Sequence, residues 1–588
     1  MATYRSFAVT LVLGAQLGLA ACAAPQKTTA DHRATPEAET GRQEKPLVTA
    51  QKAMIAVANP LAAQAGYDVL RAGGSAVDAA IAAQLVLNLV EPQSSGIGGG
   101  GFMMVYDPAT KQVTSFDGRE TAPQAVTSDL FIKDDGSKMG FFEAVVGGRA
   151  VGTPGLVHML DQAHQRYGVA PWGTLFDAAI RLSDDGFEVS ERLHTLIAKD
   201  KYLKDDPIAR AFFYTAAGNA LPVGSVLKNP EFADTLRQIQ AGRSASFYLG
   251  QIADEIVAKV QNHPSNAGVL SVEDMQRYQA IERNPVCMPY SRYTVCGMDL
   301  PSSGGLTVLQ ILGVMEAYRD NRAVPIDDTH LFVEAQKLAF ADRNYYMADA
   351  DFVSVPSGLL DPDYLKSRQQ LITANKALPT PVAAGTPIGA QVALAPDTTS
   401  FGLSTTHLSV VDEKGMVVSM TTSIENAFGA RQMVGGFLLN NQLTDFSFVP
   451  EKDGKPIANR IEAGKRPRSS MAPTIVLDTD TQSPVLAIGS PGGARIIGYV
   501  AQSLLAILDQ DMPVNKALAL GHITNRNGAT DLEEGTEAPA YQAVLEQRGQ
   551  EKITIRAMTS GLHAIKIHDD GTLSGSADPR REGIALGY

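Results

Sequence analysis

A layered α/β fold is the expectation for this chain, and two observations carry it. The run Ala76 to about Asn88 is Ala-rich and apolar on most faces, as a buried helix is. Such helical runs interleave with strand-like runs rich in Val, Met and Thr, and elements alternating in this way stack as layers around a shared core. The 588 residues allow a large core and, by length alone, about two to four domains. Hydrophobic content of 44% with 19% charged residues is ordinary for a globular protein. There is no internal repeat. A net charge of −13 argues against nonspecific nucleic-acid binding, which needs a basic surface.

The chain opens with Arg5 and an apolar run from Phe7 to Ala21. That run is short for a membrane span and fits the core of a signal peptide over residues 1–21. Its end, Leu19-Ala20-Ala21-Cys22, resembles a bacterial lipoprotein signal in which Cys22 becomes the lipidated first residue. An ordinary secretory signal with an incidental cysteine is the alternative. A lipid on Cys22 would tether the protein without spanning the bilayer. Ala23 in place of Asp would direct it to the outer membrane, on the periplasmic side of a Gram-negative cell. Residues 22–46 are polar and read as a flexible tether.

A strand end and a helix occupy Ala56 to Ala72; Ser75 then caps the next helix, with Asp78 as the capping-box acid. The glycine run Gly98 to Gly101 lacks a following Lys-Ser/Thr and leads into a strand, Phe102 to Tyr106. It is read as a tight turn, not a nucleotide cradle. A second strand ends at Phe116-Asp117-Gly118-Arg119, which leaves Arg119 in a loop. Two helices follow between Gly148 and Ser183, and the pattern stays helical to about Glu282. Cys287 and Cys296 flank Met288 to Val295. A two-residue loop at Ser291-Arg292 would set them opposite one another, where an exported compartment allows a disulfide; two buried free thiols are the alternative. Pro301-Ser302-Ser303-Gly304-Gly305 opens a helix, Leu306 to Tyr318, and His330 to Asp349 is a further helix. Residues 360–399, rich in Pro, Ala, Thr and Gln, read as a surface segment. Strands are expected at Phe437 to Asn440, Pro473 to Leu477, Val485 to Ile488, Ile553 to Ala557 and His563 to His568, with a helix from Arg495 to Leu508.

The most informative stretch is Ser404 to Asp412. It reads as a strand, turning at Asp412-Glu413-Lys414-Gly415 into a second strand, Met416 to Thr422. Folded about that turn, Thr405 lies roughly opposite Thr422 and Ser423. Hydroxyl residues suit strands and pair across them without any chemistry. A cut before Thr405 would change that, because its own α-amine would become the base beside its hydroxyl.

Thr405-Thr406-His407-x-Ser409-Val410-Val411-Asp412 resembles the processing junction of the γ-glutamyltranspeptidase family. The likeness continues through Asn440-Asn441-Gln442-x-x-Asp445-Phe446, Arg466-Pro467-x-Ser469-Ser470-Met471 and Gly489-x-Pro491-Gly492-Gly493. It extends to Glu91-Pro92, to the Ser302-Ser303-Gly304-Gly305 block and to the tail Ala577-Asp578-Pro579-Arg580-Arg581-Glu582-Gly583. The resemblance implies a four-layer αββα N-terminal-nucleophile hydrolase fold. It also implies self-cleavage between Ser404 and Thr405 into a large subunit (47–404) and a small catalytic subunit (405–588). The segment before the cut is implied to move away from the site after processing.

The implied roles follow. Thr405 is nucleophile and base, Ser423 hydrogen-bonds it, and Gly492 and Gly493 supply oxyanion-hole N–H groups. Arg119, Ser469 and Ser470 take the carboxylate of a γ-glutamyl group; Glu425, Gln442 and Asp445 take its ammonium. Ser423 departs from the family's Thr but keeps the hydroxyl, and Glu425 stands where well-studied members often carry Asn. The implied substrates are glutathione and other γ-glutamyl amides, with water or an amino acid as acceptor and no metal or organic cofactor. Two alternatives stand beside this: a glutaryl-type (cephalosporin) acylase of the same fold, and a non-catalytic surface lipoprotein.

Overall fold

Two seven-stranded antiparallel sheets carry the architecture. The computed structural model describes residues 42–320, 327–390, 393–397 and 404–588. In the first sheet the strand order is Ile584–Gly587, Met54–Val57, Ser404–Val411, Val417–Glu425, Gly100–Asp107, Gln112–Gly118, Ile281–Arg283. In the second it is Val48–Ala50, Leu573–Ala577, His563–Ile567, Pro484–Gly489, Thr474–Asp478, Tyr293–Gly297, Val286–Tyr290. The Ser404 and Val417 strands of the first sheet pack on the Pro484 and His563 strands of the second. Helices Pro60–Arg71 and Ala76–Val90 cover the outer face of the first sheet, and helices Ser303–Asp320 and Ile496–Leu508 cover that of the second. The result is the four-layer αββα stack.

The central hairpin explains why both of its faces are buried. Leu408, Val410, Val418 and Met420 belong to the apolar core shared with the first helical layer. The alternate residues face the second sheet, where Val411 and Val417 join an apolar cluster and His407, Ser409, Ser419 and Thr421 are polar. His407 pairs with Thr421 Oγ1 (2.8 Å) and Ser409 Oγ (3.1 Å), and Ser419 donates to the Ile488 carbonyl (3.1 Å). Every one of these buried groups has a partner, as burial requires. At the turn, Asp412 Oδ1 accepts from Lys414 and Met416 N–H while Oδ2 accepts from Ala76 N–H (2.9 Å). The hairpin is thereby fastened to the start of the Ala76 helix.

That helix begins with the expected capping box at Ser75 and Asp78 and is buried along its whole length. Asp78 does more than cap: its Oδ2 also accepts from Val169 and Ala170 N–H, both at 2.9 Å. Cys287 and Cys296 are a cross-strand pair, bonded to one another with Cα atoms 4.1 Å apart, at the edge of the second sheet.

Several expectations are corrected. The described residues from 42 onward form one compact unit instead of two to four domains, because strands near the start pair with strands near the end, Val48–Ala50 with Leu573–Ala577 and Met54–Val57 with Ile584–Gly587. Residues 42–46, assigned to the tether, already lie on the body: Arg42 donates to Glu533 (3.1 Å) and Gln43 N–H to the Pro579 carbonyl (2.8 Å). The rest of the tether, the signal segment and Cys22 lie outside the described residues. The stretch read as helical up to Glu282 contains a two-stranded ribbon, Phe187–Glu188 with Val226–Leu227, and ends in the strand Ile281–Arg283. The Phe437 strand is only two residues long, since Asn440 leaves it to bind Gly98 and Gly152. The 360–399 segment is not simply a surface loop. It carries the helix Pro362–Gln369, capped by Asp361, with Tyr364 and Leu365 buried.

Asp78→Ala would remove the acceptor of three N–H donors, those of the buried Ser75 and of the more exposed Val169 and Ala170, bonds to a charged group each worth about 1.5–3 kcal/mol. Chemical denaturation is expected to show a loss of roughly 3 kcal/mol or more, against about 1 kcal/mol for Ser75→Ala. Equal losses would mean that Asp78 serves only as a cap.

Candidate active site

The strand pairing is irregular at one place. Ser404 pairs with Glu425 and Thr406 with Thr422, so Ser423 and Ile424 together oppose Thr405 and the Val417–Glu425 strand bulges there. A bulge re-aims one side chain without disturbing the ladder beyond it. Here it brings three oxygens together in the uncut chain. Thr405 Oγ1 donates to the Ser404 carbonyl (2.7 Å), Ser423 Oγ donates to the same oxygen (2.7 Å), and Thr405 Oγ1 lies 3.4 Å from Ser423 Oγ. The Thr405 hydroxyl is therefore held against the carbonyl of the residue before it, and the Ser423 hydroxyl donates to that same oxygen.

Arg119, Thr405, Ser423, Glu425, Gln442, Asp445, Ser469, Ser470 and Gly493 line one pocket. All nine were named from the sequence. Gly492 stands behind Gly493; their φ angles are +133° and +59°, a left-handed pair that only glycine adopts readily. They precede the short turn that opens the Ile496–Leu508 helix.

Arg119 is buried and fixed in place. Its Nε donates to the Pro467 carbonyl (3.0 Å) and its Nη2 pairs with Asp445 Oδ2 (2.5 Å). Gln442 Nε2 also donates to Asp445 Oδ2 (2.8 Å). Ser470 Oγ accepts from Arg343 Nη2 (2.7 Å), so its own O–H is free to donate toward the pocket. Glu425 is buried at φ +79°, an uncommon conformation for a non-glycine residue. One of its oxygens accepts from Asn441 Nδ2, and the other has no hydrogen-bond partner among the described residues. Burial, and then the neighbouring Asp445, hold the Glu425 carboxyl well above the usual carboxylate range. Behind Arg119, burial raises Glu120 to about 8.

His407 is not at the reacting atoms. Its ring faces Thr421 and Ser409, and burial, then His563, hold it well below the ordinary histidine range. Sequence reasoning gave no role to two residues at this site. Arg343 lies in the last turn of the Asp328–Tyr346 helix and binds both Ser303 Oγ (2.8 Å) and Ser470. Arg581, in the C-terminal tail, donates Nη1 to the Thr405 carbonyl (3.2 Å). The only signals available were an arginine near the end of a helix of mixed polarity and a doubled arginine in the tail.

Comparison with known proteins agrees with this arrangement. The family model for gamma-glutamyltranspeptidase matches residues 62–588. The chain is 37% identical over 550 residues to a glutathione hydrolase proenzyme of Bacillus subtilis (strain 168), covering 91% of each. It is 32% identical over 555 residues to an acylase ACY 1 proenzyme of Pseudomonas sp. (strain V22), covering 92% of this chain and 95% of that one. Among solved structures, the cephalosporin acylase from Bacillus halodurans superposes with a TM-score of 0.79 at 26% identity, over 94% of this chain and 99% of that one.

Removing the Ser423 hydroxyl is expected to slow chain cleavage before Thr405 by about 10²–10³-fold, as loss of one oxyanion donor does. Ser423→Thr should retain it. Gel densitometry on freshly made Ser423→Ala protein reads the rate, and cleavage at the wild-type rate would remove Ser423 from this role.

Proposed function

Since the chain belongs to the γ-glutamyltranspeptidase family and is a γ-glutamyl hydrolase and transferase, we propose how this site performs that reaction. Thr405 Oγ1 attacks the Ser404 carbonyl, the peptide shifts to an ester on Thr405, and water releases a large subunit ending at Ser404. The small subunit then begins at Thr405, whose α-amine is free to act as base. The observation that carries this reading is the convergence of the Thr405 and Ser423 hydroxyls on the Ser404 carbonyl oxygen, each at 2.7 Å.

In the mature enzyme the donor's α-carboxylate takes the Arg119 guanidinium with the Ser469 and Ser470 hydroxyls. Its ammonium takes Asp445, Glu425 and Gln442. Thr405 Oγ1 attacks the γ-amide carbonyl, the oxyanion faces the N–H groups of Gly492 and Gly493, and the α-amine passes the hydroxyl's proton to the leaving amine. Water or an amino acid resolves the γ-glutamyl ester. Glutathione and related γ-glutamyl amides fit the site. A glutaryl donor, the alternative considered for this fold, has no ammonium to offer the three groups gathered at Asp445. That difference favours glutamyl donors.

We also propose export, with tethering to the outer membrane through a lipid on Cys22. The support is the Leu19-Ala20-Ala21-Cys22 sequence after a short apolar run. Among the described residues no helix is long and apolar enough to cross a membrane. Incorporation of labelled palmitate that disappears in Cys22→Ser would support the anchor; a soluble, unlabelled periplasmic protein would rule it out.

Intact mass of purified protein is the first test of the reaction. Two fragments meeting at Ser404/Thr405 are expected, with Thr405→Ala giving one uncut, inactive chain; fragments in that variant would place the nucleophile elsewhere.

Glu425 adds a pH signature. A carboxyl held above its usual range keeps its proton to higher pH in the empty site, and the substrate ammonium favours its ionised form. Binding therefore releases a proton, and KM should fall as pH rises, by up to about tenfold per unit, until Glu425 ionises unaided. In Glu425→Gln this slope should flatten while kcat stays within a few-fold. An unchanged slope would assign the dependence to another group.

A further inference from the structure

A guanidinium held away from water is ordinarily paired with a carboxylate, because an uncompensated buried charge is costly. Arg343 departs from that rule. It is 5% exposed, and its hydrogen bonds all end on neutral oxygens. Nε donates to Ser303 Oγ (2.8 Å), Nη1 to Asn344 Oδ1 (3.0 Å) and Nη2 to Ser470 Oγ (2.7 Å). The acids whose charge acts on it, Asp397 and Asp445, are each bonded to another arginine, Asp397 to Arg468 (2.8 Å) and Asp445 to Arg119 (2.5 Å). Burial, and then Arg468, act against the Arg343 charge.

Resting on the reading of Ser469 and Ser470 as the donor's carboxylate site, we infer that Arg343 is a positioning residue of that site, supplying through Ser470 the positive charge that selects donors bearing an α-carboxylate. The geometry is a relay. Ser470 lines the pocket, and Arg343 lies behind it. Since Ser470 Oγ accepts from Arg343, its O–H is left to donate forward. Ser469 is set in the same way, but by a neutral donor: its Oγ accepts from Met471 N–H (3.0 Å). Arg343 also braces the loop that carries both hydroxyls. Ser303 Oγ, which takes Nε, donates to the Ser469 carbonyl (2.6 Å), and Ser303 N–H donates to the same oxygen (2.9 Å).

Two hydrogen bonds in series put the guanidinium about 5 Å from a carboxylate held by Ser470. An opposite charge at that range favours the carboxylate by about 10–1000-fold. Arg119 does not fill this role alone, because its Nη2 is already on Asp445 and its Nε on the Pro467 carbonyl. Glu425 and Glu120 are held toward their neutral forms. A donor carboxylate on Ser470 therefore gives Arg343 an anion that Asp445 and Asp397, each on another arginine, do not.

The test uses the processed wild-type enzyme, Arg343→Met and Arg343→Lys, with three anilide donors. The γ-glutamyl anilide carries carboxylate and ammonium, the glutaryl anilide only the carboxylate, and the 4-aminobutyryl anilide only the ammonium. In Arg343→Met, KM for the γ-glutamyl donor should rise by about tenfold or more while kcat stays within a few-fold. The glutaryl donor should lose kcat/KM by a similar factor, and the 4-aminobutyryl donor should stay within about threefold of wild type. Where a donor turns over too slowly, inhibition by glutarate and by 4-aminobutyrate reads the same contrast. Arg343→Lys, which keeps the charge, should lie nearer wild type than Arg343→Met. Equal losses on all three donors, or a Lys variant no better than Met, would make Arg343 merely structural and overturn the inference. A wild type that takes the 4-aminobutyryl donor as well as the γ-glutamyl one would instead overturn the reading of Ser469 and Ser470 on which it rests. If neither Arg343 variant folds or cleaves, Ser469→Ala and Ser470→Ala decide. Each removes one hydroxyl, but Ser470→Ala also cuts the relay and should cost carboxylate donors about tenfold more; equal costs overturn the inference.

Discussion

The bulge at Ser423 and Ile424, opposite Thr405, is the constraint on which the rest of the structure depends. A hydroxyl becomes a nucleophile here only if the residue before it presents its carbonyl at one fixed place. Ser404 cannot move, because its hydroxyl is bonded to Gln93 and its backbone is paired with Glu425. Ser423 cannot move, because its strand is hydrogen-bonded to Gly100–Asp107 on the other side. Two sheets and two helical layers therefore serve to hold one irregular register shift. The polar seam between the sheets belongs to the same design. At Gly489 an added Cβ would lie within the ring of His407, so the second sheet reaches the nucleophile strand only because that position has no side chain.

Charge sets the second constraint. The pocket gathers Arg119, Asp445, Glu425 and, just behind, Glu120 and Arg343 away from water, where an unpaired charge is costly. The protein resolves this by pairing Arg119 with Asp445 and by keeping Glu425 and Glu120 toward their neutral forms. A γ-glutamyl group, carrying one carboxylate and one ammonium, brings a balanced pair into that setting. In the proposed binding mode, the Glu425 oxygen that has no partner among the described residues takes an N–H of the substrate ammonium, and the positive φ at this residue is the local strain that aims it.

Legibility from sequence followed the range of the interactions. The hairpin was readable because its turn residues, its β-branched strands and its hydroxyl pair are all local. The helix at Ala76 was readable for the same reason, from Ser75 and Asp78. Four-layer stacking came only through resemblance, because the pairing of Met54–Val57 with Ile584–Gly587 leaves no mark in either segment alone. Ile281–Arg283 was absorbed into a helical stretch because three residues are too few to show a period. Arg343 and Arg581 were given no role because a buried arginine and a surface arginine look alike until the partner is known.

The segment before the cut shows what such a hidden partner implies. Asp397 is 1% exposed, accepts from Arg468 Nη2 (2.8 Å) and Asn459 Nδ2 (3.0 Å), and donates its own N–H to the Asn344 carbonyl (2.7 Å). Arg468 is itself buried and lies between Arg466 and the Ser469-Ser470 pair that would take the substrate carboxylate. Withdrawing Asp397 would leave a buried cation uncompensated, at a cost of about 3–5 kcal/mol. Cleavage at Ser404 relieves the chain connection but not this ion pair. Movement of the segment away from the site, as the family resemblance implies, must therefore either stop short of Asp397 or supply Arg468 with another anion. An anion so supplied would sit at the edge of the donor pocket itself.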